Sequence, residues 1–238
     1  MRAHDHLLPE ARPERRADRS SSLLLWAVVC GGLIAGASIG IRHVHGLFML
    51  PITLERGWTR ESFSFALALQ NLSWGLAQPL AGMLADRWGS GRVLGFGVLL
   101  YGAALAATAF AESTAALYLV CGVGIGIAQA CTAFGAVYAA LNRLAPAPRR
   151  GWALATAGAV GSAVQFAAVP LTQALLDSIG WQGALMTLGA IVAALLPASL
   201  LLRDRLAPFA AASMGTLDRG TAEAPAAVGG MRDAVGIR

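Results

Sequence analysis

The sequence predicts an all-α membrane protein with six transmembrane helices, on the evidence of its composition and of how its charges are distributed. Of its 238 residues, 56% are hydrophobic and only 13% are charged, whereas a soluble domain has roughly a quarter charged residues. Six stretches contain no Asp, Glu, Lys or Arg: 20–41, 62–85, 93–111, 113–142, 151–176 and 178–202. Each is long enough to cross a bilayer as a helix, which takes about 17–25 residues.

Other membrane architectures do not fit these stretches. They are much longer than the roughly 10-residue strands of an outer-membrane barrel, and they do not alternate apolar with polar residues. The first stretch is too long for a signal peptide, and no small-residue cleavage site ends it. A helical bundle is therefore the expected fold.

The chain divides into three predicted parts. Residues 1–21 are rich in Arg, Glu and Pro and are predicted to be a disordered cytoplasmic leader. Residues 22–202 are predicted to form the bundle, and residues 203–238 a cytoplasmic linker or tail. The predicted spans cover about 22–54, 61–85, 93–111, 115–142, 152–176 and 181–202.

Glycine and proline positions predict how these helices pack and bend. Glycines recur at every fourth position in the first and fourth spans, as Gly32, Gly36, Gly40, Gly122 and Gly126. Such spacing lets neighbouring helices approach closely. Pro51, Pro79 and Pro170 are candidate kinks.

The distribution of arginine predicts the orientation. All 18 basic residues are arginine, and fifteen of them fall on one side of the predicted membrane. Arg56 and Arg60 fall on the other side, and Arg42 lies within the first span. By the positive-inside rule, this is a multi-pass inner-membrane protein with both termini in the cytoplasm. The pI of 9.9 therefore reflects topology, and no nucleic-acid partner is expected.

The stretch "GMLADRWGSGRV" places charges and glycines between the second and third spans. Gly82, Gly89 and Gly91 would permit a tight reversal of the chain. Asp86 could accept hydrogen bonds from the amides of a nearby helix start. Read from physical chemistry alone, the stretch is a turn with one acid and two arginines that set the topology.

The same stretch resembles the signature loop of the major facilitator superfamily of secondary transporters. The resemblance is carried by Gly82, Asp86, Arg87 and Gly89, followed by Arg92. Ser90-Gly91 departs from it, since many members have a basic pair there. Residues 46–82 and 169–185 are similar to the monocarboxylate-transporter-like and oxalate/formate-like bacterial branches. The resemblance implies that Asp86 is a conformational gate residue that engages a helix of a second half and does not bind substrate.

The family fold has twelve spans in two six-helix bundles, which rock around a central cavity to give alternating access. With six spans, this chain is predicted to be the N-terminal half of such a carrier. A self-pairing half-carrier and a non-transporting six-span protein are the alternatives. The resemblance implies a lipid bilayer, a small-molecule substrate such as an organic anion, and a missing C-terminal half or second copy as partners.

Arg42 is the strongest candidate for a transport residue, because a charge at membrane depth must face protein or water. Ser38, Arg42 and His45 share one helix face, where an arginine and a titratable donor could hold a carboxylate. An Arg42 that pairs with a carbonyl or extends toward the outer surface is the alternative. Further candidates for a polar cavity are Gln70, Asn71, Gln129 and Gln165.

The sequence lacks the residues that other functional classes need. A rhomboid-like intramembrane protease needs an active serine and a later histidine, but no histidine follows His45. His43 and His45 have no neighbouring acids or cysteines to complete a metal site. No nucleotide-binding loop is present. The chain is therefore predicted to be neither an enzyme nor dependent on a metal or other cofactor.

Overall fold

The computed structural model describes the backbone of residues 12–202 and the side chains of residues 22–200 and 202. This part of the chain is helical and contains no strand. Its α-helices are α1 (Arg12–Arg56), α2 (Arg60–Trp88), α3 (Ser90–Ala109), α4 (Thr114–Leu117), α5 (Ile125–Thr132), α6 (Phe134–Leu144), α7 (Arg150–Ala193) and α8 (Leu196–Leu201). A π-helical segment, Tyr118–Gly124, joins α4 to α5, and a 3₁₀ turn, Ala147–Arg149, precedes α7.

These helices form six rods, which we call spans one to six. Helices α1, α2 and α3 are spans one to three, and residues 114–144 together make span four. Helix α7 is broken at Gly180, where φ is 71° and ψ is 176°. Residues 150–179 are therefore span five, and residues 181–201 are span six. The predicted all-α bundle is confirmed.

Length and apolarity alone identify four candidate membrane helices in the described chain. The last of them, Ala147–Leu200, has 54 residues, about 80 Å of helix at 1.5 Å per residue. That is more than twice the roughly 30 Å hydrocarbon core, and the break at Gly180 divides it into two crossings. Span two is not among the four, because its polar residues lower its hydropathy. Helix α1 begins at Arg12, inside the predicted leader, since Arg, Glu and Ala favour helix beyond the bilayer.

Spans one and five pack closely through the predicted small-residue face. A Cβ added to Gly36 would lie 2.7 Å from both Cα and the carbonyl oxygen of Gly161. Spans two and four meet in the same way, because a Cβ on Gly126 would lie 2.6 Å from the carbonyl oxygen of Gln70. Both glycine series therefore mark helix contacts, as predicted.

Span four is the least regular rod. Its outer part contains seven π-helical residues, Tyr118–Gly124. Further in, Ala133 is extended, with φ −67° and ψ 169°, and separates α5 from α6. The helices continue through Pro51, Pro79 and Pro170, so the breaks within α7 and between α5 and α6 lie elsewhere than at the predicted kinks.

Candidate functional site

Arg42 lies within the apolar stretch Ser22–Arg56 of span one and is half-buried. Its Nη2 donates a hydrogen bond to Asn71 Oδ1 on span two. Its guanidinium carbon lies 5.1 Å from the centre of the Trp74 ring, a cation–π distance. Among the described residues no carboxylate lies within ion-pair distance of Arg42, so neutral groups hold this cation.

Asn71 is itself fixed by its own helix. Its Nδ2 donates to the carbonyl oxygen of Leu67, 3.0 Å away, which leaves Oδ1 to accept from Arg42. Asn71 is exposed on the bundle surface. The guanidinium is thus held at an open face of the bundle, with further N–H donors available.

A second layer of hydrogen bonds lies one turn below Arg42 and joins three spans. Ser38 Oγ and Thr132 Oγ1 are 2.8 Å apart, and the Tyr101 hydroxyl donates to the carbonyl oxygen of Ser38 over 2.9 Å. All three side chains are buried. Ser38 therefore contributes to the helix packing beneath the site.

Gln70 and Gln129 join spans two and four beside this layer. Gln70 Nε2 donates to Gln129 Oε1 over 3.2 Å, and both side chains are buried. Gln129 Nε2 and Trp74 Nε1 are buried without a hydrogen-bond partner in the described part of the chain. Both are donors, so the unsatisfied groups in the Arg42 region favour a ligand rich in acceptors.

Two predicted site residues make no side-chain hydrogen bond to Arg42. His45 is only 3% exposed, and neither ring nitrogen has a partner among residues 22–202 that the structure describes. Gln165 donates to the carbonyl oxygen of Gly161 on its own helix, 3.3 Å away. Helical spacing placed His45 on the Arg42 face, but neighbouring side chains cover that face one turn further out.

The signature loop holds an ion pair within this chain. Arg143 Nη2, at the end of α6, lies 2.5 Å from Asp86 Oδ1. Arg143 Nη1 also donates to the carbonyl oxygen of Ala85 at 3.2 Å and to Ser90 Oγ at 3.1 Å. Sequence reasoning did not predict this partner, because Arg143 was counted only among the arginines that set the topology.

The turn itself depends on one glycine. Gly89, with φ 88°, ends α2, and its amide donates to the carbonyl oxygen of Ala85 at 3.0 Å. Gly82 lies inside α2 and Gly91 lies inside α3. The prediction that all three glycines shape the reversal was therefore wrong, because the two helices are separated by a single turn residue. Arg87 is exposed, and Arg92 donates to the carbonyl oxygen of Trp88 at 3.5 Å.

A groove of about 290 Å³ runs between spans two and four beside this ion pair. Small side chains of α6 and of span two form most of its walls, and Gln78, Asp86 and Arg143 supply its polar groups. Large apolar side chains are also exposed on span two and on span five, as shown by Leu76 (68%) and Phe166 (83%). These faces are suited to contact with lipid or with further helices.

Comparison with known proteins places these features in a family. Residues 20–225 match the sequence profile of the Major Facilitator Superfamily. Monocarboxylate transporter 11 of Mus musculus is 32% identical over 207 residues, which are 82% of this chain and 45% of that protein. Monocarboxylate transporter 11 of Homo sapiens is 30% identical over 184 residues, 77% of this chain and 39% of that protein. The chain thus spans less than half the length of these relatives.

Proposed function

The chain belongs to the major facilitator superfamily, and from that premise we propose that it forms the N-terminal six-helix bundle of a secondary carrier for a small organic anion. A monocarboxylate is the proposed substrate, moved by alternating access with protons or by exchange. The relatives named monocarboxylate transporters support the substrate class. The proposed location is the inner membrane, with both termini in the cytoplasm, as the arginine distribution favours.

Arg42 carries the proposal. Its guanidinium lies within the apolar stretch of span one, is supported by Asn71 and Trp74, and has no carboxylate partner in the described chain. A buried or half-buried cation needs a counter-charge. A substrate carboxylate would supply it through two parallel N–H···O bonds, which the planar guanidinium is shaped to make.

Alternating access needs a second bundle facing this one. We propose that a C-terminal half of the carrier, or a second copy of this chain in a self-pairing carrier, covers the open side of Arg42 and the groove beside Asp86. The exposed apolar faces of spans two and five support either partner. A non-transporting role would leave the charge of Arg42 without a function.

Uptake of a labelled carboxylate into cells that lack their own carriers tests the substrate. Arg42→Gln keeps a polar side chain but removes the charge, and should abolish uptake. Arg42→Lys keeps the charge without the planar fork, and should retain a small part of it. Arg60→Gln, the same substitution at an exposed arginine that starts α2, is the control and should transport normally. Unchanged carboxylate uptake in Arg42→Gln, together with transport of another solute, would show that the proposal is wrong.

The mass of the natural product separates the two proposed partners. An N-terminal epitope tag on the chromosomal gene should give one band in membranes. A band near twice the 24.5 kDa of this chain supports a C-terminal half in the same polypeptide. A band at 24.5 kDa supports a pairing half-carrier, and crosslinking would then identify its partner.

A further inference from the structure

The two ends of the bundle differ in charge. Among the residues whose side chains the structure describes, the inner end, which contains the signature loop and the turn before α7, has five arginines and one carboxylate. That carboxylate belongs to Asp86, which Arg143 already neutralises. The outer end has two arginines and four carboxylates within the same described range. The inner end therefore presents a positive surface to its surroundings.

Exposed tryptophans lie at the same end as the arginines. Trp26, Trp88 and Trp152 are 60%, 61% and 49% exposed, whereas the three tryptophans elsewhere in the chain are half-buried or buried. Gly32 of span one lies against Ala157 of span five, so Trp26 and Trp152 are at about the same height in the bundle. Indole side chains concentrate where a membrane meets water, and the exposed indoles here mark one such boundary.

The exposed side chains of spans two and three follow the order of the parts of a phospholipid. Arg92 is exposed in the first turn of α3, and Phe96, one turn further into the bundle, is exposed below it. On α2 the exposed Trp88 ends the helix, and the exposed Met83 precedes it by more than one turn. Cation, indole and apolar side chains thus match the phosphate, the glycerol region and the acyl chains of a lipid.

Two of the inner arginines are oriented by bonds that do not neutralise them. Arg150 Nε donates to the carbonyl oxygen of Ala145 at 3.2 Å, and Arg92 Nη1 donates to the carbonyl oxygen of Trp88 at 3.5 Å. Neither has a carboxylate within ion-pair distance in the part of the chain that the structure describes. The other N–H groups of each guanidinium can bind phosphate oxygens in pairs.

We propose that the inner end of the bundle binds phospholipids with a net negative headgroup, of which phosphatidylglycerol is the example. Arg92 and Trp88 form one contact area at the turn between spans two and three, and Arg150 and Trp152 form a second at the start of span five. The guanidinium groups bind the headgroup phosphate, and the acyl chains lie along the apolar faces. A zwitterionic lipid binds less well, because its own cation offsets the attraction.

Quenching of tryptophan fluorescence by brominated lipids tests the lipid site. The whole chain is reconstituted in phosphatidylcholine vesicles that contain a minor fraction of brominated phosphatidylglycerol or, in the parallel sample, of brominated phosphatidylcholine. Phosphatidylglycerol should quench more strongly, with a relative association constant about 5-fold higher for each arginine that contacts a headgroup. The preference should fall between 0.1 M and 1 M salt, where the Debye length shrinks from about 10 Å to about 3 Å.

Substitutions at the two contact areas separate lipid binding from a structural role. Arg92→Gln/Arg150→Gln should lose most of the preference for phosphatidylglycerol. Arg92→Lys/Arg150→Lys keeps both charges and should keep most of it. Arg60→Gln, at an exposed arginine of the outer end, is the matched control and should behave as wild type. Equal quenching of the wild type by the two lipids, a preference that the Gln variant retains in full, or an equal loss in Arg60→Gln would overturn the proposal.

This measurement is independent of the substrate. A preference for phosphatidylglycerol combined with no carboxylate uptake would leave the lipid site standing and remove the proposed function. Carboxylate uptake without the lipid preference would do the reverse. The two proposals can therefore fail separately.

Discussion

Two arginines of this protein lie in opposite electrostatic settings. Arg42, within span one, is held by an amide oxygen and an indole ring and has no carboxylate partner in the described chain. Arg143, at the inner end of span four, has its charge matched by Asp86 and two further bonds to backbone and hydroxyl oxygens. The charge of the first arginine is left unneutralised by the described residues, whereas a carboxylate of the same bundle neutralises the second.

The difference shows that position in the membrane does not by itself decide what a charge does. A neutral partner orients a guanidinium and leaves its charge in place, whereas a carboxylate orients the guanidinium and also neutralises it. The deeper cation is the one left uncompensated, although its desolvation is the more costly. Such an arrangement is expected of a binding site and is not expected of a structural pair.

Among substitutions of the residues around the two arginines, Asn71→Asp should have the largest effect, because it gives Arg42 the kind of partner that Arg143 has. The substitution conserves volume and adds a carboxylate that competes with the substrate for the guanidinium. Losing access to a buried charged partner is worth about 3 kcal/mol or more, so kcat/KM for carboxylate uptake should fall by about 100-fold. Asn71→Leu, which only removes the hydrogen bond, should lose less, and an equal loss in both would contradict the competition.

Arg143→Gln should be the most destabilising change at the inner cluster. It removes the ion pair and weakens the bonds to Ala85 and Ser90, for a loss of about 1–2 kcal/mol in the free energy of unfolding. Titration with SDS in mixed micelles measures that free energy. Arg60→Gln, at an exposed arginine that starts α2, is the control and should change it by less than about 0.5 kcal/mol.

Asp86→Asn should destabilise less than Arg143→Gln. The pair is partly exposed, so solvent screening limits its worth to about 1 kcal/mol or less. Arg143 also keeps its bonds to Ala85 and Ser90 when Asp86 is neutral. The difference in unfolding free energy between Asp86→Asn and wild type should vanish at high salt, where the Debye length falls to about 3 Å. A difference that survives 1 M salt would contradict a pair screened by solvent.

Tyr101→Phe should have the smallest effect. It removes the hydroxyl that donates to the carbonyl oxygen of Ser38, and single hydrogen bonds inside membrane proteins average about 0.6 kcal/mol. Tyr118→Phe is the matched control, because the Tyr118 hydroxyl has no hydrogen bond among the described residues. Equal unfolding free energies for the two variants would remove Tyr101 from the support of the site.

Much of the fold could be predicted because membrane helices are specified locally. Long uncharged stretches predicted six spans, and all six rods are present, although α1 begins at Arg12, about ten residues before the predicted start of the first span. Glycine spacing predicted two helix contacts that the structure contains. The loop residues carried the resemblance to the family that the sequence profile confirms. Hydropathy and glycine spacing act within one helix or between adjacent helices, so both can be read from the linear sequence.

The candidate site was predicted only in part. Arg42 was identified from its charge alone, and the structure adds Asn71, which had been named, and Trp74, which had not. Trp74 carried no signal, since an indole on a membrane helix is most often exposed to lipid or packed in the core. The role of every site residue in transport remains a prediction for the experiments above.

The sequence by itself determined the number of spans and the position of one charge within the apolar stretch of span one, because each depends on single segments of the chain. The orientation of the spans stays a prediction from the arginine distribution. Only the tertiary structure decided three further features. Asp86 pairs with Arg143, fifty-seven residues away, His45 is buried, and span four breaks at Ala133 while the helices run on through the prolines. Each of these features follows from contacts between spans. Neither the residue types nor their spacing along one helix predicts those contacts.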